Sequence, residues 1–238
     1  MVNTMSIAKQ TPEGMDFIDL QKFSSEVIDD DSHTFWLFAY GLLLWYPDFE
    51  ADERILGYVD NVKRKLCHAS HMLGDDSWPG RVASLVHAPG ERTWGAVYKL
   101  SDRRNKIATF DKLCNREISE GYRLAMVNFV PINSPGIIRA AVFVTDPSAN
   151  RSLVEVTLPW QAYQIFCAHG IHGPNRTYVY KIADFLKTEI VPLYPEDLGA
   201  RQDDSILLST LVQEFESNQR EISPEEAQSM KPQILPAN

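Results

Sequence analysis

The sequence is poor in cysteine, in net positive charge and in long apolar runs, and each shortage closes off a class of function. Its three cysteines, Cys67, Cys114 and Cys167, are odd in number and far apart. They form no disulfide framework and suit a reducing compartment. Acidic residues outnumber basic ones 32 to 23, a formal charge of -9. That balance argues against a protein built to neutralise nucleic-acid phosphates. No run approaches the roughly 18 apolar residues of a membrane span, and the richest stretch, Phe35 to Trp45, is about strand length. The N-terminus lacks the basic lead-in and apolar core of a secretory leader. There is no glycine-rich phosphate loop, no Gly-x-Ser-x-Gly and no His-Glu-x-x-His, so nucleotide, serine-hydrolase and zinc-protease chemistry lack their residues. The expectation is a soluble cytoplasmic globular protein with no nucleic-acid or membrane partner. The 44% hydrophobic fraction is ample for a core.

The charge is uneven. Residues 1–32 carry seven acids and two bases, 196–238 nine acids and three bases, and 33–195 sixteen acids and eighteen bases, about +2. The pattern divides the chain into an acidic N-terminal extension (1–32), a domain (33–217) and a polar C-terminal tail (218–238). The extension reads as mobile or loosely docked, pinned by Phe17, Leu20 and Phe23, and the acidic ends as aids to solubility. Phe35 to Tyr40 reads as a buried strand that breaks at Gly41. Leu56 to Val59, Val82 to Val86, Trp94 to Leu100, Tyr122 to Pro131 and Ile137 to Val144 read as further strands, and 71–81 as a loop. Ser101 is placed as the N-cap of a helix whose Ile107, Phe110, Leu113 and Cys114 share one face. Helices follow over 159–171, 174–188 and 203–217. Strands early and helices late favour an α+β fold.

Three places could carry chemistry. After the first strand, Tyr40-Gly41-Leu42-Leu43 forms a turn whose backbone N–H groups could hold a carboxylate or oxyanion; an ordinary strand-to-loop turn is the plain alternative. Glu117, in Asn115 to Tyr122 between helix and strand, could project into a cleft where burial raises its pKa towards that of a general base; the plain alternative is a solvated helix end. Cys67-His68-x-x-His71 and Cys167-x-His169-x-x-His172 have short Cys/His spacings open to zinc binding or to a thiol nucleophile with a histidine base. Against that stand buried cysteines and loop histidines.

In order, these segments resemble the ChaC branch of the γ-glutamylcyclotransferases. The family's Phe-Gly-Tyr-Gly-Ser-Leu-Ile-Trp is similar to Phe38 through Trp45, with Asp48-Phe49 following. Gly57-Tyr58 with Lys63-Arg64-Lys65-Leu66, Pro79-Gly80-Arg81-Val82, Trp94 through Leu100, Arg116-Glu117 with Gly121-Tyr122, and Gly170, Gly173, Asn175 and Tyr178 match later motifs. The resemblance spans about residues 35–190. It implies a small mixed β-barrel flanked by helices, and cleavage of a γ-glutamyl amide of a small-molecule peptide with release of 5-oxoproline, without metal or cofactor. Glu117 then takes the proton of the α-amine as catalytic base. Tyr40, Gly41, Leu42, Leu43 and Tyr122 line the substrate site, with Arg81 as an anion partner and Lys63-Arg64-Lys65 adding positive potential.

The sequence departs from the family at two places. Leu42 stands where the family has Ser, and Met72-Leu73 where it has His-Arg. These apolar replacements point to a substrate less polar than free glutathione. A glutathione S-conjugate fits, as in fungal relatives that trim adducts in epipolythiodioxopiperazine (gliotoxin-like) pathways. Two other readings compete: a non-catalytic γ-glutamyl-peptide binding module on the same fold, and a metal or thiol enzyme built on Cys67/His71 or Cys167/His172.

Overall fold

A computed structural model describes residues 15–146 and 151–218. The aromatic and β-branched runs form β1 (Asp16–Phe17), β2 (Phe35–Ala39), β3 (Glu53–Ser70), β4 (Gly80–Leu100), β5 (Tyr122–Pro131) and β6 (Ile138–Thr145). Five strands close in the order β5-β3-β4-β2-β6, with β6 returning to β5, and β1 adds a short edge to β5. The β2–β6 contact is parallel and the other pairings in this sheet are antiparallel. Phe35, Leu37, Val97, Leu100, Val127 and Phe129 are fully buried, each large side chain contributing about 1.5–3 kcal/mol. The helices are α1 (Leu20–Phe23), α2 (Arg103–Ser119), α3 (Leu158–Cys167), α4 (Asn175–Phe185), α5 (Leu198–Arg201) and α6 (Asp204–Asn218), with a two-stranded turn, β7 (His169–Gly170) and β8 (Gly173–Pro174), between α3 and α4. The α+β barrel with flanking helices is the fold the sequence implied.

Three local expectations change. The short strands read at 56–59, 82–86 and 94–100 belong to two long strands of 18 and 21 residues. Their alternation is hidden where the pairing slips between Asp60 and Val62. Ala88 to Glu91 bulge there opposite Asn61, which takes the left-handed φ of 61° that asparagine tolerates. The N-cap of α2 is Asp102, not Ser101. Its carboxylate accepts the Asn105 N–H at 2.8 Å, while the Ser101 N–H is turned to Asp52.

The described part of the N-terminal segment is docked rather than loose. Met15, Phe23 and Ile28 are buried, and Phe23 packs edge-on against Phe35. The Lys106 ammonium, itself buried, donates to the carbonyls of Val27, Asp30 and His33 at 3.1, 2.6 and 2.6 Å. At the other end, α6 packs on α3 and α4 and buries Leu208 and Val212. Residues 1–14 and 219–238, the outer parts of the two ends, lie outside the described residues.

Candidate active site

The cavity exists because one strand stops early. β2 ends at Ala39, opposite Ala96, while β4 runs on past that level. At Arg81 and Ala83 the edge of β4 away from β3 is met by side chains instead of a strand. The Asn175 amide group receives the Arg81 N–H at 2.7 Å and donates to the Arg81 carbonyl at 2.9 Å. The Ala83 N–H donates to the Tyr178 hydroxyl at 3.1 Å, and the Tyr122 hydroxyl donates to the Ala83 carbonyl at 2.9 Å. The space left between this edge, the turn after β2 and the end of α2 is a cavity of about 540 Å³.

The turn itself is rigidly held. Leu42–Leu44 form a single 3-10 turn, closed by the Leu44 N–H on the Gly41 carbonyl at 2.9 Å. Two buried donors clamp its carbonyls. Arg64 Nε donates to Tyr40 at 2.8 Å, and the Tyr98 hydroxyl donates to Leu43 at 2.8 Å. The N–H groups of Leu42 and Leu43, first in the turn, have no acceptor among the described residues, as the start of any helical turn leaves them. Glycine is needed at 41 because a Cβ there would stand 2.7 Å from the Tyr178 hydroxyl oxygen.

Glu117 sits in the last turn of α2, which ends two residues later when Gly121 adopts φ 84°. Its side chain is 18% exposed. Burial raises its pKa above the usual carboxylate value. Arg116 opposes that, with Nε 2.8 Å from Oε1, while Glu120 and Asp48 push it further up. Asp48 is paired in turn with Lys112 at 2.8 Å and lies 3.7 Å from Arg116. A carboxylate with a raised pKa that lines the same cavity as free N–H groups can take a proton from an amine while the N–H groups hold an anion.

Of the residues singled out from the sequence, Tyr40, Gly41, Leu42, Leu43, Glu117 and Tyr122 line this cavity together. Arg81 does not. Its guanidinium is buried, donating to Gln164 at 2.8 Å and to the Leu66 carbonyl at 2.8 Å, and burial pushes its pKa down to about 10. It ties α3 to the hairpin, and its remaining Nη2 is buried without a partner among the described residues, away from the cavity lining. The basic run is also spent internally: Lys63 pairs with Asp204 at 3.1 Å, Arg64 with Asp203 at 2.6 Å and Lys65 with Glu155 at 2.6 Å. Two acids of the C-terminal segment, Asp203 and Asp204, therefore pair with Arg64 and Lys63, and their role goes beyond solubility.

The cysteine–histidine clusters do not assemble. Among the described residues no three His, Cys, Asp or Glu side chains come together as a metal site. Burial raises the pKa of all three thiols, Cys114 to about 11, which disfavours a thiolate nucleophile. His68 is held by the Glu120 carbonyl at 2.6 Å, and of these residues His172 reaches the cavity wall. Asp48, Arg116 and Tyr178, matched to family motifs above but given no site role there, also line it. The spacing Asn175-x-x-Tyr178 was the available signal, since it sets both side chains on one helix face.

Residues 35–214 match the ChaC-like protein family. Glutathione-specific gamma-glutamylcyclotransferase 1 of Danio rerio is 29% identical over 155 residues, covering 64% of this chain and 79% of that protein. The Rattus norvegicus protein of the same name is 31% identical over 163 residues, 67% and 72% of the two chains. Gamma-glutamylcyclotransferase 2-1 of Arabidopsis thaliana is 31% identical over 155 residues, 62% and 71%. Among solved structures, the gamma-glutamyl cyclotransferase specific to glutathione from yeast superposes with a TM-score of 0.68 at 19% identity, over 76% of this chain and 96% of that one; this likeness speaks for the fold. The family match takes in the whole barrel and every residue around the cavity, and the chain belongs to the ChaC-like family of γ-glutamylcyclotransferases.

Proposed function

We propose that this protein cleaves the γ-glutamyl amide of glutathione or a glutathione S-conjugate, releasing 5-oxoproline and a Cys-Gly product. The observation that carries the reading is Glu117, a largely buried carboxylate with a raised pKa, sharing one cavity with the free N–H groups of Leu42 and Leu43. Relatives named for this activity support it. The substrate α-ammonium first gives up one proton to solvent; as the neutral amine attacks its own γ-carbonyl, the ionised Glu117 takes the second proton from that nitrogen. The backbone N–H groups hold the α-carboxylate or the charge that develops on the carbonyl oxygen. The cysteinyl nitrogen then leaves with the proton Glu117 carried, so no water is consumed. Holding the chain curled supplies the proximity.

The conjugate form is favoured by the lining: Leu42, Trp45, Met72 and Leu73 present apolar surface to the cavity. This surface would accommodate a bulky apolar group on sulfur, in keeping with adduct trimming in a secondary-metabolite pathway of the gliotoxin type. A reducing, cytoplasmic setting accords with three free cysteines. The test is to incubate the protein with glutathione and with an aryl S-conjugate and to quantify 5-oxoproline by mass spectrometry. Turnover is expected with both and faster with the conjugate, and equal rates would remove the conjugate preference. Glu117→Gln is expected to lower kcat by about 10²–10⁴; wild-type turnover in that variant would eliminate Glu117 as the base. Binding of γ-glutamyl compounds without any 5-oxoproline would favour a binding module on the same fold.

A further inference from the structure

Four tyrosines line the cavity; Tyr46 is exposed, and the hydrogen bonds of the three buried phenols differ in one respect. The Tyr40 hydroxyl donates to the Phe143 carbonyl at 2.7 Å and the Tyr122 hydroxyl to the Ala83 carbonyl at 2.9 Å. Both protons are committed to backbone. Tyr178 is arranged the other way: its oxygen accepts the Ala83 N–H at 3.1 Å, and among the described residues its own proton has no acceptor. A phenol has one proton to give and prefers to hold it near the ring plane. With the Ala83 amide on one side of the oxygen, the proton turns to the other.

The oxygen also stands against the substrate turn, since a Cβ on Gly41 would meet it at 2.7 Å. That turn carries the unclaimed N–H groups of Leu42 and Leu43. The ring is fixed by a T-shaped contact with Trp45, centroids 5.3 Å apart, and the helix under it by Asn175 on Arg81. Burial raises the pKa of the phenol, so it stays protonated at neutral pH. A neutral, preorganised donor beside two free amides is what a developing oxyanion requires.

We propose that Tyr178 is a catalytic residue whose hydroxyl donates a hydrogen bond to the substrate γ-carbonyl oxygen. The inference rests on the cyclotransferase reading. As the α-nitrogen bonds to the γ-carbon, the carbonyl π pair moves onto oxygen, and Tyr178 holds that charge without giving up its proton. When the carbonyl re-forms, the bond to the cysteinyl nitrogen breaks, and that nitrogen receives the proton carried by Glu117.

Tyr178→Phe is expected to lower kcat about 100-fold, the usual loss for one such donor, with KM changed by less than about threefold. Because the substitution also orphans the Ala83 amide, a second series separates the two effects. Fluorinated tyrosines placed at 178 keep the oxygen and its bond to Ala83 but make the proton a stronger donor. In that series kcat is expected to vary with phenol acidity while KM and melting temperature hold. Should Tyr178→Phe fail to fold, the fluorinated series decides alone. A kcat within about threefold of wild type in Tyr178→Phe, a loss confined to KM, or a kcat flat across the series overturns the inference while leaving the cyclotransferase reading intact. Absence of 5-oxoproline from the wild-type chain overturns both.

Discussion

Replacing Asp203 with Asn tests the packing beneath the active site. Arg64 has no exposed side-chain surface and Asp203 only 9%, with 2.6 Å between them. The guanidinium also donates to the Tyr40 carbonyl at 2.8 Å and to the Trp94 carbonyl. Carbonyls alone do not neutralise it, so Asp203→Asn leaves a buried cation without its counter-charge. Breaking such a pair from one side costs about 3–5 kcal/mol. At roughly 2–4 °C per kcal/mol for a domain of this size, the melting point should fall by roughly 6–20 °C. Asparagine keeps the second task of the residue, for one Asp203 oxygen accepts the Ser205 N–H at 2.9 Å and caps α6. Asp203→Ala loses the cap as well and should melt lower still, by about another 1 kcal/mol. Adding Arg64→Met to Asp203→Asn removes the orphan charge but strands two carbonyls, so it should recover part of the loss and not all. Calorimetry on the four chains measures each step. If Asp203→Asn melts within about 2 °C of wild type, the pair behaves as a hydrated surface bridge and the reasoning fails.

Other outcomes follow from the same contacts. Glu117 works ionised, and burial holds its pKa above the usual carboxylate value, so kcat/KM should fall as pH drops through that raised value. Arg116→Gln removes the cation opposing the shift and should move this acid limb to higher pH; an unmoved limb in the pH–rate profile would mean that Arg116 does not act on Glu117. Gly41→Ala should lower kcat/KM by about 10- to 100-fold, because its Cβ displaces either the turn or Tyr178. Lys106→Met should destabilise by about 1.5–3 kcal/mol and make Lys22 cleavable by trypsin, since the ammonium is what fastens the carbonyls of Val27, Asp30 and His33.

The parts of this protein that were legible in the sequence are those written locally. Phe35 to Tyr40 declares a buried strand by its aromatics, and Gly41 its end. Glu117 was an ordinary helix-end acid until the order of the flanking segments gave it a cavity. What stayed hidden depends on partners far along the chain. Arg64 and Asp203 are 139 positions apart, and nothing near Arg64 says that its charge is already matched. Arg81 was an anion partner only as the resemblance implied, yet the strand that begins at Gly80 has both faces covered, from Gly80 to Leu85, and takes the side chain inside. The long hairpin was concealed for a related reason: a bulge at Asn61 shifts the alternation in mid-strand and breaks one signal into several.

The use of side chains to complete the edge of β4 has a dynamic consequence. Peptide groups inside a ladder exchange their hydrogens only when strands part, whereas those of Arg81 and Ala83 are guarded by Asn175 and Tyr178 of α4. A small displacement of that one helix uncovers both amides and widens the cavity in the same movement, with the barrel still closed. Local openings of this kind lie below the free energy of global unfolding. Deuterium uptake at positions 81 and 83 thus serves as a clock for how often the cavity opens, readable without substrate and separate from the uptake of the barrel around it.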